Sequence, residues 1–338
     1  MRRRRVRSLR LFSYAASAGV LVYVVSQLHP RALAASVAQL AWQWLLVAVA
    51  LGAFSIALQS FRWWYLLRSG GVGYPSVLQA SFLGSLANQL LPLRPGEIIR
   101  GVVVSRRNGA PLAEVLSTQL VERITDGVAM AALIVLALHD LRLPRIVGVA
   151  QMAFAAGVGA LVLLAGLLAW RERQLHARLE AWAPSEGWKP KVRTVLLAAS
   201  TGLQALRDWR RVAVSFTVAL AMMTIQVAIL WLALRSYHVP LGPGQAAALL
   251  AIISAGTLVP STPGNVGSWQ FFSVLGLGAM GVDGTLAAGF SVVAFAALSL
   301  GAIVGGLVAL AASPFSFAEL RRGRFAPERP ASLVEPEG

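Results

Sequence analysis

The sequence predicts an all-α integral membrane protein with about six spanning helices and two opposed re-entrant helical hairpins in an inverted repeat. Composition, the placement of the arginines and two similar Pro/Gly-interrupted segments support this prediction. Of the 338 residues, 57% are hydrophobic and 13% are charged, and the mean hydropathy is +0.67. A soluble protein carries charge on roughly a quarter of its residues. Long apolar runs between short polar loops therefore indicate a bilayer.

The basic residues lie at the ends of the chain and in one internal segment. The formal net charge is +16, and the arginines cluster before Leu9, between Arg171 and Arg211, and from Arg321 to Arg324. This is the positive-inside pattern, so we expect both termini to be cytoplasmic in a bacterial inner (plasma) membrane. Nucleic acid is not an expected partner, because no aromatic and basic groove or known module accompanies the charge.

Six apolar runs are long enough to span a bilayer. Six crossings place the carboxyl terminus on the same side of the membrane as the amino terminus. The first run follows an arginine cluster and resembles a signal peptide, but its length favours an uncleaved helix. The predicted spans are Leu9–Leu28, Trp42–Leu67, Val115–Leu138, Ile146–Trp170, Val212–Leu234 and Thr285–Ala312.

We expect one membrane domain over residues 1–314 and a disordered cytoplasmic tail over 315–338, which is rich in Pro and Glu. Within the domain, residues 171–211 form a cytoplasmic connection. Its apolar residues recur at three- and four-residue steps from Val192 to Leu206. This predicts an amphipathic helix that lies either on the inner membrane surface or on the protein itself.

Two apolar segments are interrupted in the same way. Proline breaks a helix, and glycine after the second proline permits the chain to reverse. The flanking halves, Val77–Leu90 with Glu97–Ser105 and Gln245–Leu258 with Gly267–Met280, are too short to cross a bilayer. Each segment therefore predicts a helical hairpin that enters and leaves by one face. The turn residues are Pro92, Pro95 and Gly96 in the first segment and Pro260, Pro263 and Gly264 in the second.

The two hairpins are expected to enter from opposite faces. Counting crossings, the first follows the second span and enters from the cytoplasm, whereas the second follows the fifth span and enters from outside. Opposed interrupted segments are typical of inverted repeats, whose binding site lies between the two halves. The alternative is that both Pro-Gly turns are ordinary loops that match by coincidence.

Charged residues at membrane depth form a second group. An ionisable group there costs about 2.5–3.5 kcal/mol on insertion scales, so each needs a partner or a function. One interpretation is a polar cavity in which arginine holds a phosphate. The other is internal ion pairing, since Arg123 and Asp126 have pairing spacing. We expected Arg62, near a helix end, to extend to the cytoplasmic surface. The candidate charged residues are Arg94, Glu97, Arg100, Glu122, Arg123 and Asp126.

Uncharged polar residues surround both turns. Asn88 and Asn265 are candidate headgroup contacts, although the more usual role of such groups is to satisfy freed backbone groups. The chain has no cysteine and four scattered histidines. Neither a metal, nor a cofactor, nor a catalytic residue is predicted. The other polar residues of the turns are Gln89, Ser261, Thr262 and Gln270.

These motifs, in this order, resemble the lysylphosphatidylglycerol synthase transmembrane region, a flippase-like membrane domain. The resemblance rests on Asn88–Glu97 with Arg100, on Glu122-Arg123 with Asp126, and on Pro260–Gly267. It implies movement of a lipid or a lipid-linked headgroup between leaflets. It also implies a lipid partner: an anionic or aminoacylated phospholipid, or a polyprenyl- or hopanoid-type lipid. The aminoacyltransferase domain of the two-part synthases is absent from this sequence, so we do not expect an enzyme.

Three functional hypotheses follow. The first is a flippase-like lipid transporter, in which Arg100 and Glu97 meet a phosphate headgroup first. The second is a membrane-embedded enzyme acting on lipid headgroups, against which stands the lack of a nucleophile and base near either turn. The third is a membrane subunit that recruits a separate synthase. A homo-oligomer is compatible with the first and the third.

Overall fold

The computed structural model describes residues 40–67, 71–91, 94–110, 112–138, 208–257 and 263–313, with a few isolated positions between 156 and 181. Every regular element in these ranges is a helix, which agrees with the all-α prediction. Two predicted spans, Leu9–Leu28 and Ile146–Trp170, lie outside the described residues except for isolated positions. The same holds for most of the 171–211 connection and for the 315–338 tail.

The described ranges contain eight α-helices and one short 3₁₀ turn at Pro263–Asn265. We number the helices in chain order. They are α1 (Trp42–Leu67), α2 (Tyr74–Leu90), α3 (Gly96–Asn108), α4 (Leu112–Leu138), α5 (Trp209–Ser236), α6 (Pro243–Gly256), α7 (Ser268–Ala279) and α8 (Gly284–Ala311).

Among the described helices, α1, α5 and α8 are long and apolar enough to cross a membrane. They correspond to the second, fifth and sixth predicted spans. Helix α4 covers the third predicted span and has 27 residues, which is sufficient in length. It is less apolar because Glu122, Arg123 and Asp126 lie near its middle.

Local sequence fixes several helix ends. Asp208 caps α5, because its Oδ1 accepts from the backbone N–H groups of Arg210 and Arg211. Asp283 caps α8 in the same way, accepting from Thr285 and Leu286. A side-chain oxygen at this position satisfies N–H groups that have no partner within the helix.

Helices α2 and α3 form the first hairpin. They pack closely because neither Gly84 nor Gly96 carries a side chain, and a Cβ at Gly96 would overlap the carbonyl of Gly84 and the side chain of Asn88. Asn88 faces the start of α3 and Gly84 faces the next turn, so the two helices run antiparallel. Of the predicted turn residues, Pro95 and Gly96 are described, whereas Pro92 lies outside the described residues.

Helices α6 and α7 form the second hairpin, also antiparallel. Gly256, at the end of α6, lies against Phe272, and Gly276, near the end of α7, lies against Leu249. The turn between them contains Gly264, whose φ of 62° suits glycine. Pro260 lies outside the described residues, whereas Pro263 opens the 3₁₀ turn.

The two hairpins meet at their turns and are held by the apolar helices. A Cβ on Gly264 would collide with the side chain of Gln89, at the end of α2. Helix α2 also packs on α8, where Gly305 and Gly306 admit Phe82 and Leu86. Small residues of this kind let membrane helices approach closely. The packing therefore places both interrupted segments side by side.

Candidate functional site

Six charged residues on three helices form a closed ring in which arginines and carboxylates alternate. Helix α1 supplies one arginine, α3 supplies one arginine and one glutamate, and α4 supplies the other three residues. We refer to this set as the ion-pair ring. Its order is Arg62, Glu122, Arg100, Glu97, Arg123, Asp126 and back to Arg62.

The inner half of the ring is buried. Arg62 and Glu122 have side chains that are 0% exposed, and Nε of Arg62 donates to Oε1 of Glu122 at 3.3 Å. Arg62 also donates to both carboxylate oxygens of Asp126. The other oxygen of Glu122 accepts from Nη2 of Arg100 at 2.7 Å. Glu122 thus bridges two arginines that come from different helices.

The outer half of the ring faces open space. Nη2 of Arg100 donates to Oε2 of Glu97 at 2.6 Å, and Nη2 of Arg123 lies 2.6 Å from Oε1 of the same glutamate. The ring closes between Arg123 and Asp126, whose Nη1 and Oδ2 are 3.9 Å apart. The Arg123 side chain is 50% exposed. This is the loosest link and the one most open to a ligand.

Arg100 is held from two sides. Its side chain is 3% exposed, and its guanidinium carbon lies 4.5 Å from the centroid of the Trp63 ring. The indole Nε1 of Trp63 donates to Oγ1 of Thr118 on α4. Nε and Nη1 of Arg100 have no hydrogen-bond partner in the part of the chain that the structure describes. The aromatic face supplies a favourable surface for this cation.

A cavity of about 680 Å³ opens beside the ring, and a smaller one of about 400 Å³ continues from it. Both are lined by residues of the two hairpins together with α1 and α5. The residues that line both cavities are Ser55, Gln59, Ser85, Asn88, Arg94, Met222, Gln226, Asn265 and Trp269. The interrupted segments therefore border one continuous space.

Arg94, between the two prolines of the first turn, is an exposed cation in this space. Its backbone adopts a φ of 50°, which is uncommon for a residue other than glycine. Among the residues that the structure describes, no carboxylate lies within ion-pair distance of its guanidinium. Counted over the described residues, the three arginines and three carboxylates of the ring cancel, and Arg94 leaves the cavity with one formal positive charge in excess.

The uncharged residues of the turns divide into two roles. Oδ1 of Asn88 accepts from the backbone N–H of Gly96 at 2.7 Å, and Oε1 of Gln270 accepts from that of Gly267 at 2.7 Å. Both side chains therefore satisfy freed backbone groups. Asn265 differs: it is 7% exposed, and its Oδ1 has no partner within the described residues. Ser261 and Thr262 lie outside those residues.

One expectation from the sequence is wrong. Arg62 does not extend to the membrane surface but is fully buried in the ion-pair ring. Helix α1 packs on α4, so Arg62 meets carboxylates sixty and more positions away. The expected pairing of Arg123 with Asp126 exists but is long, and the shorter partner of Arg123 is Glu97.

Sequence reasoning also missed cavity residues on two of the long apolar helices. Ser55 and Gln59 on α1 and Gln226 on α5 line both cavities. Ser55 and Gln59 are one helical turn apart, and a polar pair at this spacing inside an apolar span was the available signal. No group of three or more histidines and carboxylates in the described residues is arranged to hold a metal ion.

Comparison with known proteins agrees with the motifs. The family model of the lysylphosphatidylglycerol synthase TM region matches residues 10–306. A UPF0104 membrane protein of Methanothermobacter thermautotrophicus is 24% identical over 306 residues, covering 84% of this chain and 87% of that protein. No solved structure matches the chain. The match over most of the length, together with the apolar helices, shows that this chain is a membrane protein of the lysylphosphatidylglycerol synthase transmembrane-region family.

Proposed function

We propose that this protein is a flippase-like transporter that moves a phospholipid or a lipid-linked headgroup between the leaflets of a bacterial inner membrane. The observation that carries the proposal is the shared cavity. Residues from both Pro/Gly turns border it, and it holds an excess positive charge inside a protein of apolar helices. A lipid with an anionic headgroup matches this combination, because its tails remain among apolar surfaces while its phosphate meets arginine.

The arrangement of the hairpins supports this proposal. Irregular backbone at membrane depth is tolerated where it borders a polar cavity, and both turns lie beside one. We propose that the two hairpins are re-entrant and enter from opposite faces, the first from the cytoplasm and the second from outside. Both termini then lie in the cytoplasm. A site between opposed hairpins is accessible in turn from each leaflet when one half moves against the other.

Within the site, Arg94 and Arg123 are the proposed contacts of the headgroup. Both are exposed to the cavity, and arginine presents a planar set of donors that fits two phosphate oxygens. Arg100 is the less suitable first contact, because it is buried and already paired with Glu97 and Glu122. We assign Arg62, Arg100 and Glu122 to holding α1, α3 and α4 together.

The test is leaflet exchange of lipids that are labelled in the hydrophobic tail, in vesicles that contain the purified full chain. The lipids are phosphatidylglycerol, lysyl-phosphatidylglycerol, a polyprenyl phosphate and the zwitterionic phosphatidylcholine. The variants are Arg94→Gln and Arg123→Gln, with Arg210→Gln as the control, because Arg210 is exposed at the start of α5 and away from the cavity. Charge-assisted hydrogen bonds contribute about 1.5–3 kcal/mol.

We expect exchange of at least one anionic lipid by the wild type. We expect the rate to fall at least about tenfold in each cavity variant and to be unchanged in Arg210→Gln. Exchange no faster than in empty vesicles for all four lipids would overturn transport. The next experiment would then be co-purification with a lipid-modifying enzyme, which tests the recruiting-subunit hypothesis.

A further inference from the structure

The continuous cavity has two chemically different parts. The larger part is bordered by Glu97, Arg123 and Asp126 of the ion-pair ring. The smaller part, of about 400 Å³, is bordered by amides, hydroxyls, aliphatic side chains and two aromatic rings, and Arg94 is the one charged residue among its described lining. We call this smaller part the amide pocket. Its main polar residues also border the larger part; they are Ser55, Gln59, Ser85, Asn88, Gln226 and Asn265.

Several polar groups of the amide pocket have no hydrogen-bond partner among the described residues. Oδ1 of Asn265 is buried and unpaired in the described part of the chain. The side chains of Gln59 and Gln226 likewise make no hydrogen bond with any described residue. A buried acceptor without a partner is costly, so a ligand or water is expected to satisfy it. These groups line the pocket from three separate elements.

An aromatic surface completes the pocket. Trp269, on α7, borders it beside Phe295, and the two rings have centroids 5.5 Å apart. An indole ring presents a large, rigid apolar face. Carboxamides offer both donors and acceptors, which a hydroxyl group needs because it is itself both. A ligand with several hydroxyl groups on a carbon skeleton satisfies the amides and covers the ring at once.

The position of Arg94 connects the two parts. It borders both the ionic part and the amide pocket, so a phosphate held there directs whatever is esterified to it into the amide pocket. An amine is a poorer match, because the carboxylates that border the larger part, Glu97 and Asp126, are already paired with arginines of the ion-pair ring. We infer that the amide pocket binds a neutral polyhydroxyl group, glycerol or a sugar, that is attached to the phosphate of the transported lipid. This inference rests on the transport function proposed above.

The experiment compares lipids that differ in hydroxyl groups at constant charge. Acyl-labelled phosphatidylglycerol and phosphatidylinositol carry a polyhydroxyl alcohol, whereas phosphatidylmethanol carries the same phosphodiester charge and no hydroxyl. Leaflet exchange is measured for each lipid with wild-type protein in vesicles. The variants are Gln59→Leu, Gln226→Leu and Asn265→Gly; glycine at 265 keeps the positive φ of that residue accessible. Thr224→Val is the control, because Thr224 lies on the exposed face of α5.

We expect the wild type to exchange at least one of the two polyhydroxyl lipids about five- to tenfold faster than phosphatidylmethanol. Each pocket variant should lower that rate toward the phosphatidylmethanol rate while leaving phosphatidylmethanol itself unchanged. Thr224→Val should keep the wild-type preference. A preference for phosphatidylinositol over phosphatidylglycerol would assign a sugar-like ring, and the reverse would assign glycerol.

Two results would overturn the inference without affecting transport itself. One is equal wild-type exchange of phosphatidylmethanol and both polyhydroxyl lipids. The other is an equal loss of the exchange rate for all three lipids in the pocket variants. That result would mean that these residues maintain the shape of the cavity and do not recognise hydroxyl groups. Exchange of none of the lipids above empty vesicles would instead overturn the proposed function, on which this inference depends.

Discussion

Arg62 on α1 and Asp126 on α4 form an ion pair with two contacts, in which Nη1 and Nη2 of the arginine each donate to one carboxylate oxygen. The residues are 64 positions apart in the chain. Because Arg62 also donates to Glu122, one side chain joins α1 to two carboxylates of α4. This pair therefore fixes the long apolar helix α1 to the ion-pair ring beside the cavity.

The first prediction concerns this connection. Arg62→Leu leaves Glu122 with one arginine and removes the close partner of Asp126. Breaking a buried ion pair by removing one partner typically costs about 3–5 kcal/mol. We expect the apparent unfolding temperature in detergent to fall by at least about 5 °C. Unfolding is measured by the fluorescence of the ten tryptophans.

The control for Arg62→Leu is Arg210→Leu, which removes an exposed arginine at the start of α5. Its guanidinium lies over the ring of Trp209, 5.8 Å from the centroid, and an exposed contact of this kind contributes about 0.5–1 kcal/mol, so we expect a shift of no more than about 2 °C. Equal shifts in the two variants would show that the buried ring does not stabilise the fold.

The second prediction tests the close approach of α2 and α3. In Gly96→Ala, the new Cβ would overlap the carbonyl of Gly84 and the side chain of Asn88. Backbone atoms cannot move aside as a flexible side chain does, so we expect the hairpin to separate and both stability and leaflet exchange to fall. Gly278→Ala on α7 is the matched control, since a Cβ there meets nothing within 4 Å. Wild-type exchange by Gly96→Ala would contradict the packing.

The third prediction tests the opposed hairpins. The chain has no cysteine, so a single introduced thiol is a unique reporter. Gly73→Cys and Arg107→Cys mark the two ends of the first hairpin, and Gly244→Cys and Gly284→Cys mark the ends of the second; all four positions are exposed. With a membrane-impermeant maleimide on intact spheroplasts, we expect labelling of the second pair alone.

Permeabilisation should then allow labelling of the first pair as well. Labelling of one end of a hairpin from each side would mean that the segment crosses the membrane and is not re-entrant. Labelling of all four thiols from the same side would contradict the inverted arrangement.

The sequence predicted those features of the fold that depend on local chemistry. Proline and glycine interrupt a helix wherever they occur in it, so the turns at Pro95-Gly96 and Pro263-Gly264 were visible as a motif. Trp42–Leu67 was predicted with the bounds that the structure gives, because its apolar run is continuous. The charged candidates were also found, since an ionisable residue is conspicuous in an apolar segment.

The contacts among those residues depended on tertiary packing. No local pattern indicates that α1 turns Arg62 toward α4, and its position near the helix end suggested the membrane surface. Gln59 and Gln226 were missed for a related reason. A single amide in an apolar span has little effect on hydropathy, and its significance appears only when helices far apart in sequence border one cavity.

The alternation of charges in the ion-pair ring affects the electrostatic potential that an approaching ligand meets. Three formal positive and three formal negative charges sum to zero, so the ring has no monopole, and its potential decays with distance faster than that of a single ion. Arg94 lies outside the ring and is not cancelled in this way. Among the described residues that line the cavity, the net charge is therefore that of one side chain at a hairpin turn, and Arg94→Glu would reverse its sign while all six ring residues stay in place.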